Sequence, residues 1–146
     1  MFTTPPPAAF EHQDYAAANS AVRATTGKGI SRQSWALMPK IREVLAWMPG
    51  APCPVIEAHP EACFTAMLGG PTSASKKTWA GMRERHGALI DAGLDLSGLD
   101  QAAGRAAMTD DMLDAAAAAW TAWRFHTGVA RRFPEDAAAG ADAIWA

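Results

Sequence analysis

The sequence is poor in cysteine, has no large charge excess of either sign and contains no long apolar run. Cys53 and Cys63 form no CxxC pair and lack histidine partners at zinc-site spacing, which argues against a zinc module and predicts two reduced, semi-buried thiols. The chain has 13 basic and 15 acidic residues, so its net charge is slightly negative and any affinity for nucleic acid must come from a local basic patch. Without a bilayer-length apolar run or a signal-peptide pattern, we expect a cytoplasmic protein with no membrane partner.

The composition that remains is that of one α/β domain over residues 1–146. Apolar residues make up 49% of the chain and charged residues 19%, which is typical of a folded domain. Apolar periodicity, together with glycine and proline stop signals, predicts a helix-dominated chain. The helices are expected at about residues 11–26, 31–49, 60–68, 75 or 78 to 92, and 109–131, with Ser31 as the N-cap of the second and Gly69 ending the third. Pro39 predicts a kink in the second of them, near Leu37 or Met38.

The apolar positions also predict which side of each helix is buried. The buried face of the second helix is expected to comprise Trp35, Met38, Ile41, Leu45 and Met48. In the helix after Pro60 it is expected to comprise Ala62, Cys63, Ala66 and Met67. In the last helix it is expected to comprise Leu113, Ala116, Trp120, Trp123 and Thr127. The tryptophans on these faces are therefore assigned to packing and not to stacking on bases.

Residues 53–58 form the best candidate for a strand, because the run is short, apolar and bounded by prolines. A single strand leaves its backbone groups unpaired and is too little for an α/β sheet. Either residues 2–3, 93–97 and 143–146 supply partners, or strands of the sheet are missing. We prefer missing strands, so the expected fold is an α/β domain with few strands.

Three aspartates stand close together at the start of the last predicted helix, where Thr109 is the expected N-cap. Asp110 and Asp111 lie in its first turn, and both share a helix face with Asp114. Like charges this close are costly unless a helix N-terminus, a cation or a metal offsets them. The alternatives left open are complementation of the helix dipole and a site for a divalent metal.

Glu57 is the candidate partner of these aspartates. In an alternating strand, Val55, Glu57 and His59 point to one side. A carboxylate at the centre of a buried strand is expensive unless it is paired or bound to a metal. Glu57 is therefore either a metal ligand or one half of a structural salt bridge.

Basic residues form local groups in spite of the net charge. Lys40 and Arg42 lie in the second predicted helix, whereas Ser75, Lys76 and Lys77 stand at the start of the fourth. Cations, hydroxyls and the N–H groups of a helix start suit phosphate, so all five residues are candidate phosphate-binding residues. The alternative is a solvated lysine pair with no ligand.

Five segments of this chain follow one another in an order known from one protein family. They are GISRQSW (29–35), PKIREV (39–44), IEAHPE (56–61), SKKT (75–78) and DDMLDA (110–115). In these segments, and over nearly its whole length, the chain resembles the DUF429 family of predicted RNase H-like nucleases. The resemblance implies an RNase H-like fold and a site for two metals, Mg²⁺ or Mn²⁺. It also implies that Glu57 takes the fourth-strand position and that Asp111 and Asp114 take the last-helix positions as catalytic and metal-binding residues.

The chain departs from the family at its N-terminus. Family members begin with a strand carrying a Val-Asp-Gly-like aspartate, whereas this chain opens on residues 1–6, which resemble a later Phe-x-x-Pro-Pro segment. We therefore expect an N-terminally truncated domain without the first-strand carboxylate, or else a longer protein with a misassigned start.

The function expected from the sequence is that of a metal-dependent nuclease-family domain, acting on nucleic acid weakly or not at all in this shortened form. In the complete architecture, two metals would activate water for in-line attack on a phosphodiester. The alternative is a non-catalytic interaction module, a homo-oligomer paired through an exposed sheet edge.

Overall fold

The computed structural model of the chain describes residues 5–98, 107–136 and 143–146. The chain divides between Val55 and Ile56 into two compact units, which are described separately below. The interpretation as one domain over residues 1–146 stays a prediction, and the strand expected at residues 2–3 lies outside the described residues. Within the described ranges, every helix is too short or too polar to cross a membrane.

The first unit consists of short helices. Its helices are α1 (Tyr15–Thr26), α2 (Arg32–Ala36) and α3 (Met38–Trp47), with 3₁₀ turns at Pro7–Ala9 and Met48–Gly50. The Asp14 side chain accepts a hydrogen bond from the Ala17 N–H and so starts α1 four residues later than expected. Gly27 ends α1 in the left-handed conformation, with φ of 73°.

The expected kink is a full break between α2 and α3. Ser31 caps α2 by accepting a hydrogen bond from the Ser34 N–H, as predicted. The helix stops at Leu37, and Pro39 then lies in the first turn of α3, where its missing N–H costs nothing.

The predicted buried face of the second helix is confirmed at Trp35 and Met38 and wrong at Leu45 and Met48. The core of the first unit consists of Ala9, Ala18, Val22, Ile30 and Met38. Met38 is buried and Trp35 packs against this core, but Leu45 and Met48 are 50% and 39% exposed. The core of this unit contacts α3 at Met38, its first residue, whereas Leu45 lies on the same helix face two turns further along and is not part of that core.

The second unit contains a small mixed sheet and three helices among its described residues. They are β1 (Glu57–Ala58), α4 (Pro60–Leu68), α5 (Trp79–Asp91), α6 (Thr109–His126), β2 (Arg132–Phe133) and β3 (Ile144–Trp145). The strand order is β1-β3-β2, with β1 parallel and β2 antiparallel to β3. Glu57 stands opposite Ile144 in the β1–β3 ladder. The chain is thus helix-dominated α/β, as predicted.

The sheet is smaller than the predicted strand suggests. Residues 53–56 are irregular, and the described ladder begins at Glu57. Of the partner segments offered as the alternative to missing strands, residues 143–146 supply the partner strand β3, whereas residues 93–97 form a turn and irregular chain.

The core of the second unit lies between α4, α5 and α6. It consists of Cys63, Phe64, Ala88, Leu89, Leu113, Ala117 and Ala146. The predicted inward positions of α4 are confirmed, since Cys63 is buried and Ala62, Ala66 and Met67 pack against the core. The predicted face of α6 is confirmed at Leu113, which is buried, and at Ala116, which packs against the core, and it is wrong at Trp123, which is 61% exposed, and at Thr127. The buried positions of α6 are Leu113, Ala117 and Thr121. The small Ala117 and Thr121 allow α4 to approach, which a tryptophan would prevent.

Candidate functional site

A loop of residues 71–78, called here the lysine loop, joins α4 to α5 and is held against α5. The Glu84 carboxylate accepts hydrogen bonds from the N–H groups of Ser73 and Ala74, at 2.8 and 3.2 Å. The Thr78 hydroxyl donates to the Ser75 carbonyl and accepts from the Gly81 N–H. The loop is therefore fixed at both its middle and its end before any ligand is considered.

Gly81 permits this close approach. It is buried in α5, and a Cβ at this position would overlap the carbonyl oxygen of Ser75. Glycine is required here by contact with the loop backbone and not by an unusual backbone conformation.

Arg85 joins the lysine loop to α4. Its guanidinium, 2% exposed, donates two hydrogen bonds to the Glu61 carboxylate, at 3.1 and 2.6 Å. It also donates to the carbonyls of Ala74 and Gly81 and to the Thr72 hydroxyl. The hydrogen bond from Arg85 lowers the pKa of Glu61. A buried guanidinium with this many partners fixes α4, α5 and the loop together.

The lysine loop neutralises the acidic start of α6. Lys76 Nζ lies 2.6 Å from Asp114 Oδ2, and Lys77 Nζ lies 2.5 Å from Asp110 Oδ2. The hydrogen bond to Asp114 raises the pKa of Lys76, and the hydrogen bond from Lys77 lowers the pKa of Asp110. The repulsion between these aspartates is thus reduced by cations from another element, the two lysines of the lysine loop.

One oxygen of Asp114 remains unpaired. Asp114 Oδ1 is buried and has no hydrogen-bond partner in the described part of the chain. Two turns further along α6, the Thr121 hydroxyl lies 3.0 Å from Cys63 Sγ. Burial raises the pKa of the Cys63 thiol, and the nearby charge of Asp114 acts in the same direction. Cys63 is therefore a packed thiol, whose burial disfavours the thiolate form that acts as a nucleophile.

The other predicted metal ligands lie in different surroundings. Glu57, in β1, is exposed, so its expected place at the centre of a buried strand is wrong. Asp111 is also exposed, and neither carboxylate forms a salt bridge within the described ranges. No three acidic, histidine or cysteine side chains are grouped to hold a metal ion there either. The metal site of Glu57, Asp111 and Asp114 stays a prediction, because Asp114 is paired with Lys76 and the described residues bring no three such side chains together.

The predicted phosphate-binding residues divide between the two units. In the first unit, Arg42 donates to the carbonyls of Phe10 and His12 and to the Gln13 side chain, so it holds the N-terminal turn in place. Lys40 is exposed on α3. In the second unit, Ser75, Lys76 and Lys77 lie together in the lysine loop, and their assignment to phosphate stays a prediction.

Glu61, Glu84 and Arg85, which organise this site, were missed from the sequence. A signal was present: Gly81, Arg85, Ala88 and Leu89 follow helical spacing, and an arginine among small and apolar residues on a buried face needs a carboxylate partner. Glu61, in the first turn of α4, meets that need.

Comparisons with known proteins identify a family and no activity. A family model, that of the DUF429 proteins of unknown function, matches residues 1–139. No curated protein sequence and no solved structure matches the chain.

Proposed function

The chain belongs to the DUF429 family, and from that premise we propose that it is an RNase H-like domain of the metal-dependent nuclease type with weak or no cleavage of phosphodiesters. The proposal of weak or no cleavage rests on the pairing of Lys76 with Asp114 and of Lys77 with Asp110. A carboxylate that is already neutralised by an ammonium is a poorer ligand for a divalent cation.

The proposed ion is Mg²⁺ or Mn²⁺, and the proposed ligands are Glu57, Asp111 and Asp114. When bound, such an ion supplies Lewis-acid activation of water and of the phosphate. The chain's own contribution is the unpaired Asp114 Oδ1, together with two carboxylates that are exposed and free of salt bridges in the described ranges. Lys76 competes with the ion for Asp114, which supports weak activity.

The test is a cleavage assay with purified chain of residues 1–146. Structured DNA and RNA are incubated with Mg²⁺ or with Mn²⁺, and product is followed on denaturing gels. We expect little or no turnover above a chelator control. Robust turnover that is lost in Glu57→Gln and kept in Asp91→Asn, an exposed carboxylate on α5, would contradict the weak-activity proposal.

Pairing of two copies through a sheet edge is the second candidate. In the described sheet, β1 and β2 each pair on one side, with β3. Each edge is only two residues long, which offers little backbone for another chain. Light scattering is expected to give a monomer mass, and a mass that rises with concentration would favour the dimer.

A further inference from the structure

We infer that the outer face of α5, centred on Trp79 with Arg83 and Lys77, binds single-stranded nucleic acid by stacking one base on the indole. The inference deepens the proposed function, and rests on it, by naming the class of strand that the site receives. It concerns binding and requires no cleavage.

Trp79 is unusually exposed for its type. The side chain is 72% exposed, more than any other large apolar residue in the described part of the chain. An indole this exposed offers a large aromatic surface on which a base can stack. As the first residue of α5, it projects beside the lysine loop.

Basic side chains lie beside this indole. Arg83 follows Trp79 by four residues and therefore lies on the same helix face, about 5–6 Å away between Cβ atoms. His86, seven residues after Trp79, continues that face, and both Arg83 and His86 are exposed. Lys77 precedes the helix, with 70% of its side chain exposed although it is paired with Asp110.

Among the described residues, the carboxylates beside this face are engaged by other groups. Within residues 79–90 the acidic residue is Glu84, whose carboxylate accepts from the Ser73 and Ala74 N–H groups, and the Asp110 carboxylate is paired with Lys77. Arg83 forms no salt bridge within the described ranges. A local cationic strip can thus attract phosphate although the chain as a whole is slightly acidic.

The face is held rigid before a ligand arrives. Gly81 and Arg85, on the opposite side of α5, fix the helix to the lysine loop and to α4. A fixed aromatic surface loses less conformational entropy on binding than a mobile one.

A single strand fits this face better than a protein partner does. One indole flanked by separated cations matches the alternation of base and phosphate in an unpaired strand. A protein partner would need a wider apolar patch around Trp79, whereas its nearest neighbours along the face are Arg83 and His86, and the exposed Ile90 follows only three turns away. A duplex offers no unstacked base to the indole.

The test is fluorescence anisotropy with a fluorescein-labelled oligothymidylate of about 12 nucleotides, in low salt and with EDTA so that no cleavage occurs. We expect Trp79→Ala to raise Kd about tenfold and Trp79→Phe to recover most of the affinity. Arg83→Gln is expected to weaken binding and to reduce the slope of log Kd against log salt concentration by about 0.7, the value for one phosphate contact on a single strand.

Trp123→Ala is the matched control, because Trp123 is also exposed, at 61%, but lies on α6. It is expected to bind as the unaltered chain does, and circular dichroism should show both alanine variants folded. The inference is overturned if the unaltered chain does not bind the oligonucleotide, if Trp79→Ala binds equally well, or if Trp123→Ala is weakened as much. EDTA prevents cleavage in the binding assay. A failure of the binding inference can therefore be told apart from a failure of the proposed function, which the cleavage assay tests.

Discussion

At the scale of single residues, charge pairing decides how this chain accommodates its buried polar groups. Asp110 and Asp114 are neutralised by Lys77 and Lys76, which lie 33 and 38 residues away in sequence. The sequence could show that these carboxylates need an offset, because like charges share a helix face. It could not show which cations supply it, since that depends on the path of the lysine loop.

The pair of Glu61 and Arg85 gives the sharpest prediction at this scale. Glu61→Gln leaves the guanidinium, 3% exposed in its side chain, without a counter-charge, and should lower the free energy of unfolding by about 2 kcal/mol. The value is below that of a fully buried pair because the Glu61 side chain is 36% exposed. Urea denaturation measures it. Glu57→Gln, at an exposed carboxylate, should change stability by less than about 0.5 kcal/mol. Equal effects of the two changes would refute this role of Glu61.

The same pair predicts how stability depends on pH. The pKa of Glu61 is lowered in the folded chain, chiefly by the hydrogen bond from Arg85. A depressed carboxyl pKa contributes stability that is present above the ordinary value of 4.5 and is lost as the pH falls through the folded pKa. The urea midpoint should therefore drop below about pH 4.5, and Glu61→Gln should flatten that drop while Glu57→Gln leaves it unchanged. A midpoint with the same pH dependence in all three proteins would show that Glu61 carries no such linkage.

At the scale of helices and loops, local signals located the elements well and their faces less well. Ser31, Pro39 and Gly69 lie where caps and breaks were predicted. The predicted buried faces were wrong where close packing between helices favoured small residues over large apolar ones. On α6 the buried positions follow Leu113 at steps of four, towards the small Thr121, and Trp123 stays in water.

Alanine substitutions at two glycines of α5 distinguish the effect of the loop contact on stability from the effect of helix propensity. Gly81→Ala should destabilise the chain by about 1–3 kcal/mol, because the new methyl group overlaps the Ser75 carbonyl and the lysine loop must shift. Gly87→Ala should stabilise it by about 0.5–1 kcal/mol, since a Cβ there meets open space and alanine favours the helix. Thermal unfolding of both variants checks the prediction. A stabilised Gly81→Ala would mean that the loop does not rest on α5.

At the scale of the whole molecule, the family and the helix-dominated α/β class could be predicted, and the partners in the site could not. Ordered segments spread over the chain identify DUF429 membership, which the family match over residues 1–139 confirms. Glu57 was expected to be buried because its segment is apolar, yet only two residues of that segment pair in the sheet. The ordering of Glu61, Arg85 and the lysine loop arises from contacts distant in sequence, which a local pattern does not encode.

The central claim is that Lys76 and Lys77 balance Asp114 and Asp110 at the start of α6 and thereby compete with a divalent cation for these carboxylates. Isothermal titration of the chain with Mn²⁺ tests it most directly. The unaltered chain should give no saturable binding in the micromolar range, and Lys76→Met with Lys77→Met should strengthen Mn²⁺ binding by at least about tenfold, because Asp114 and Asp110 then lack a cation. Addition of Asp114→Asn to that variant should remove the gain. Micromolar binding by the unaltered chain that Asp114→Asn abolishes would contradict the account.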